Sequence, residues 1–304
     1  MRIKLCGLVI WAAMLAAGLV SCQQEDDLPK GVKYPILFGY YDTRAVADLG
    51  DLKNDGFKVY AYFEGNTGNS ATFEKEVAYD KDKDVWGYQG LEYWIPGAKY
   101  WFKAFYPGDK FEVTNTSENQ YFTVSDVDVV NHQVDLLVAS ATAEVPNNAT
   151  CPEDGSVVNL NFQHLLSNIQ IKIQSEVSGI KIDAVTIVDA DNNGAYSSET
   201  EKWISTATGD IEKKSDVKLE LNDDFKIVTG DGILVIPGDP SGKSLSVKAS
   251  NGKEYKADFP ATPQWEKGNR YTYTLVIMPS DIIFNEPKVD EWDSENATGS
   301  VIIK

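Results

Sequence analysis

Apolar side chains in this chain recur at every second residue rather than every third or fourth, and that spacing restricts it to sheets. Phe57-Lys58-Val59-Tyr60-Ala61-Tyr62-Phe63 alternates and is rich in aromatics, as a half-buried strand requires. Tyr100-Trp101-Phe102-Lys103-Ala104-Phe105-Tyr106 is a second such run, closed by the turn pair Pro107-Gly108. Asp135 to Ala139 reads as a third. Further strands are expected at Ile169 to Ile173, Ala184 to Val188, Lys218 to Leu221, Ile233 to Ile236, Leu245 to Ala249 and Tyr271 to Ile277. No amphipathic helix above three turns can be drawn. Short strands separated by Gly, Pro, Asn and Asp predict an all-β chain made of β-sandwiches. The polar stretch Val145 to Ser156, with Pro146, Pro152 and Gly155, is the expected boundary between an N-terminal domain, 34–155, and a C-terminal one, 156–304.

The first residues carry an address. Arg2 and Lys4 precede an apolar run from Leu5 to Val20, which is too short to read first as a membrane span and reads as a secretory signal, 1–21. Leu19-Val20-Ser21-Cys22 resembles a bacterial lipobox, in which a diacylglyceryl group joins the Cys22 sulfur before cleavage leaves Cys22 first. Each buried acyl methylene then contributes roughly 0.8 kcal/mol to anchoring. Gln23-Gln24-Glu25-Asp26-Asp27 opens an acidic segment, 22–33, that resembles the surface-export signal of Bacteroidetes lipoproteins or serves as a solvated linker.

Charge excludes one class of partner. The formal net charge is -18, and loss of the cationic Arg2 and Lys4 with the signal makes it -20. Nucleic acid is a poor partner for such a chain, because binding phosphates needs clustered Lys and Arg. Removal of Cys6 with the signal and lipidation of Cys22 would leave Cys151 alone, so no intramolecular disulfide is expected.

Catalytic chemistry is scarce, and no enzyme activity, cofactor or metal is expected. The chain has two histidines, His132 and His164, and no Ser or Cys has a nucleophile-elbow or triad setting. His164, among Phe162, Leu165 and Leu166, reads as a packed interdomain residue. Asp189-Ala190-Asp191-Asn192-Asn193-Gly194 resembles the start of a calcium loop, but position twelve is Thr200, with Glu199 and Glu201 out of register. A hairpin turn at Asn193-Gly194 is the preferred reading. Trp86, Tyr88, Tyr93, Trp94 and Trp101 form an aromatic-dense stretch that reads as core, with a sugar-stacking surface as the alternative.

A family resemblance rests on ordered motifs across the mature chain. Ile36-Leu37-Phe38 followed by Thr43-Arg44-Ala45 and Phe57 to Ala61 looks like the N-terminal signature of the fimbrillins, lipoprotein-derived type V pilins of Bacteroidetes. Tyr93-Trp94-Ile95-Pro96, Ala104-Phe105-Tyr106-Pro107, Val158 to Ser167, Gly268 to Tyr273 and Trp292 complete the set. The resemblance implies two tandem transthyretin-like, Greek-key β-sandwich domains. It also implies export as a lipoprotein, trimming at an arginine, and polymerisation with other pilin subunits by strand exchange.

Within that reading the residues choose the sites. The arginines are Arg2, Arg44 and Arg270. Arg2 leaves with the signal, and Arg270 opens an alternating strand that would be tied into a ladder. The Arg44-Ala45 bond lies in a Gly- and Asp-flanked stretch, the setting an Arg-specific protease prefers. Cutting there would remove the lipid and the segment 34–44, exposing unpaired backbone over an apolar slot. The expected donor to fill it is the apolar C-terminus, within 282–304, and above all Val301, Ile302 and Ile303. The expected role is a stalk or tip subunit of a surface fimbria that supports adhesion, made as an outer-membrane lipoprotein precursor. The alternative is a glycan-binding lipoprotein, or a fimbrial anchor, held permanently through Cys22.

Overall fold

A computed structural model describes residues 33–40, 49–116, 119–221, 223–279, 282–285 and 287–292. Among the described residues its regular elements are nearly all strands, with one two-turn α-helix and a short 3-10 turn at Gly108–Lys110, and the sheets are consistent with a β-sandwich. In the first half, β1 (Leu37–Tyr40) is followed by α1 (Leu49–Asp55), β2 (Phe57–Glu64), β3 (Ser70–Asp80), β4 (Val85–Gly87) and β5 (Lys99–Tyr106). Then come β6 (Phe111–Thr116), β7 (Asn119–Asp128), β8 (Leu137–Glu144), β9 (Val157–Leu160) and β10 (Gln163–His164). Strands β10-β8-β5-β2-β3-β4 form one six-stranded sheet, and β1 pairs with β9 as a parallel partner. The alternation in β2 and β5 places Val59, Ala61, Tyr100, Phe102 and Ala104 inward, where they pack with Ile36, Phe38, Trp94 and Leu160 in one core.

The second half contributes β11 (Ser167–Ser175), β12 (Ile180–Ser197), β13 (Lys202–Lys214), β14 (Lys218–Leu219), β15 (Lys226–Ile227) and β16 (Ile233–Val235). It ends with β17 (Ser244–Ala249), β18 (Glu254–Asp258), β19 (Asn269–Ile277), β20 (Ile282–Phe284) and β21 (Lys288–Glu291). Alternating Ile169, Ile171 and Ile173 of β11 meet Tyr271, Tyr273 and Leu275 of β19 in a second core, with the parallel register Ile171↔Tyr273. Strand pairing crosses the expected boundary in both directions. The β6–β7 hairpin joins β12 through Tyr196↔Val124, while β9, beyond residue 155, belongs with β1.

Two local expectations are corrected. Asp189 to Gly194 does not turn the chain. It lies inside β12, bulged where Asp189 takes a φ of 56°, and the turn falls instead between β12 and β13. Asp191 there is paired with Lys243 at 3.0 Å, so its carboxylate is occupied by a cation of the chain itself. Residues 282–292 are not spare apolar strand: β20 and β21 both pair antiparallel with β19, and Trp292 is buried. Cys151 is buried.

Candidate functional site

The first strand sits in a prepared slot. Ile36 donates its N–H to the Glu92 carbonyl at 2.8 Å, and Trp94 donates to the Tyr34 carbonyl at 3.1 Å, an antiparallel pairing with the segment 91–95. On the other side Leu37 donates to the Ser156 carbonyl at 3.0 Å and β1 runs in register with β9, from Leu37↔Val157 to Tyr40↔Leu160. The segment is thus bonded on both sides, to 92–94 through Tyr34 and Ile36 and to β9 from Leu37 onward. Its removal would orphan two rows of backbone groups, and buried unpaired groups are costly.

The inward side chains fill the slot. Ile36 is fully buried and Phe38 is 4% exposed. Phe38 lies 5.4 Å from the Tyr88 ring and 5.8 Å from the Phe102 ring, while Trp94 meets Tyr100 edge-on at 4.8 Å. The Tyr88 hydroxyl donates to the Ile36 carbonyl at 2.6 Å and accepts from the Glu92 N–H, and burial pushes its pKa up. The Trp94 indole N–H donates to the Ser156 carbonyl at 3.2 Å. Burying Ile36 and Phe38 contributes roughly 1.5–3 kcal/mol each to seating the strand. Gly39 permits the close approach to β9, since a β-carbon there would lie 2.7 Å from Val157 Cγ1.

Of the aromatic stretch, Trp94 is core and Trp86 and Tyr88 pack half-buried against it. Trp101 is half-buried beside Tyr62 at 5.6 Å, and Tyr93 is exposed. His164 is buried, hydrogen-bonded through Nδ1 to Asp135, and stacked on Trp292 with ring centroids 3.9 Å apart. This is a structural clamp between β10 and the end of β21, and Asp135, its partner, was not singled out by sequence pattern.

Cys22, Arg44, Ala45, Val301, Ile302 and Ile303 lie outside the described residues. The Arg44-Ala45 bond falls between two described anchors, β1 and α1. Beyond it, Leu52 is buried and the Lys53 ammonium sits 4.4 Å over the Tyr79 ring, which ties α1 to β3. Arg270, by contrast, is in β19 with Asn168 of β11 on one flank and Asp290 of β21 on the other.

The fold and slot together define an all-β sandwich protein whose N-terminal strand is held as an insert. A family model described as fimbrillin-like matches residues 43–292, so the chain belongs to the fimbrillin-like family of fimbrial proteins. Among solved structures it is similar to a fimbrial protein from Bacteroides vulgatus, with 16% identity and a TM-score of 0.58 over 85% of this chain and 99% of that one. It is also similar to putative cell adhesion proteins from Bacteroides ovatus (14% identity, TM-score 0.57, 87% and 99% covered) and Bacteroides uniformis (17%, 0.53, 87% and 100%). These likenesses establish a shared fold. No curated protein matches the chain.

Proposed function

We propose that the protein is a structural, non-catalytic subunit of a cell-surface fimbria, made as a lipoprotein anchored through Cys22, trimmed after Arg44 and polymerised by donor-strand exchange. The observation that carries this reading is the seat of the first strand, with both backbone edges bonded and Ile36 and Phe38 buried. That seat joins the trimmed segment to the fold by contacts another strand could reproduce. A donor from a second subunit would recover the lost hydrogen bonds by β-augmentation and restore the apolar filling. Because β20, β21 and Trp292 are used at home, the donor is residues 293–304, with Val301, Ile302 and Ile303 as its apolar core.

The test is treatment of the purified protein with an Arg-specific protease. The expected product begins at Ala45 and forms ladders that survive SDS without boiling, while a chain ending at Trp292 is trimmed but stays monomeric. A trimmed full-length chain that remained monomeric would overturn the proposal. So would a lipid-blocked Cys22 at the N-terminus of sheared surface filaments, which is what a permanent anchor would show.

A further inference from the structure

The outward face of the first strand is apolar as well. Leu37 is 36% exposed and Val157, its register partner on β9, is 43% exposed. The Pro35–Tyr93 bridge sets the antiparallel register that brings Leu91 to the level of Leu37. Leu91, Tyr93 and Ile95 are 43%, 40% and 37% exposed. Five large apolar side chains thus share one three-segment surface, and grouped exposure of this kind marks a contact site where scattered exposure does not.

Charge is unusual there. Segment 91–95, β1 and β9 hold a single carboxylate, Glu92, in a chain of net charge -18, and Lys75 neutralises it at 2.7 Å. Lys33 stands over the Tyr93 ring at 5.9 Å, so the chain leading back to Cys22 leaves from the rim of this surface. Cys22 is eleven residues upstream of Lys33, a reach of at most ~40 Å.

We propose that, before trimming, this face rests on the lipid surface to which Cys22 is anchored, with Leu37, Leu91, Ile95 and Val157 at the acyl boundary and Tyr93 and Lys33 at headgroup level. The inference rests on the Cys22 lipidation reading above. Tyrosine suits the membrane interface because its ring is apolar and its hydroxyl polar, and lysine reaches up to anionic headgroups. The patch need not bind strongly, because a short tether supplies an effective concentration in the millimolar range. Cutting after Arg44 removes the tether and Leu37 together, so the trimmed subunit loses both its anchor and part of its membrane-facing surface.

The experiment replaces the lipid, so that it stands whether or not Cys22 is acylated. The chain from residue 23 onward, carrying an N-terminal hexahistidine tag, is held on vesicles of phosphatidylethanolamine and phosphatidylglycerol that contain a nickel-chelating lipid. Nitration of Tyr93 by tetranitromethane is followed by peptide mass, with the comparably exposed Tyr121 as internal control. Expected is several-fold slower nitration of Tyr93 on vesicles than in solution, unchanged Tyr121, and recovery of the Tyr93 rate in a Leu91→Asp/Ile95→Asp variant that is still tethered. Equal Tyr93 rates on and off vesicles would overturn the proposal, as would protection shared by Tyr121 or retained in the double variant. Protection that grows with protein density on the vesicle would also overturn it, assigning the face to a second copy instead. Whether Cys22 is acylated is read separately from the mass of the N-terminal peptide.

Discussion

Phe38 meets Phe102 edge to face, with ring centroids 5.8 Å apart and planes at 78°. One ring belongs to the segment ahead of Arg44 and the other to β5, so this contact joins what the proposed trimming would remove to what it would leave. Replacing Phe38 by Ala should cost about 3–5 kcal/mol of the seating free energy. Because the strand then spends more time out of its slot, cleavage after Arg44 should accelerate. N-terminal sequencing of timed digests measures the rate, and an unchanged rate would show that the bond is cut without β1 leaving.

Gly39 tests how tightly β1 lies on β9. Gly39→Ala should destabilise the packing of β1 on β9 by about 1–3 kcal/mol, because the new methyl overlaps Val157 Cγ1. Val157→Ala removes that atom, so the double variant should recover most of the loss in a denaturant-unfolding cycle.

Arg270 should resist the protease proposed to cut at Arg44. Its backbone is held between β11 and β21, and a protease needs an extended, unpaired segment. Limited digestion of the native protein should give no cut at Arg270-Tyr271, and that cut should appear only in denaturant that unfolds the sheet holding β11, β19 and β21. Native cleavage there would place the opening of β19 close to the native state.

Trp292→Ala should lower stability by about 3–5 kcal/mol through loss of the stack on His164 and of its buried ring. Truncation after Trp292 should leave the melting temperature unchanged within error while abolishing SDS-resistant assembly. A large fall in melting temperature on truncation would mean that residues 293–304 close the subunit itself.

Both cores should weaken in alkali. Burial pushes Tyr100 and Tyr273 up to about 12 from an ordinary 10.0. Between those values the unfolded chain loses phenolic protons that the folded chain keeps, so stability is full below pH 10 and falls as pH rises toward 12. Denaturant midpoints measured across that window should decline, and Tyr100→Phe should flatten part of the slope whatever it does to the absolute level.

The alternating runs Phe57 to Phe63, Tyr100 to Tyr106 and Tyr271 to Ile277 by themselves determined that this is a sheet protein, since a period of two leaves one face to bury and one to expose. They also determined which side chains line the cores. Strands such as Lys202 to Lys214 were not legible, because an exposed strand held mainly by its neighbour needs no apolar signature. Nor was the long excursion of β12 through Asn193-Gly194, where pairing with β7 and β13 overrode a local turn preference. Only the tertiary structure decided that Pro35 to Tyr40 is bonded on both sides and that Trp292 closes on His164. Those contacts join residues more than fifty positions apart, and no local pattern encodes which distant edge a strand will meet.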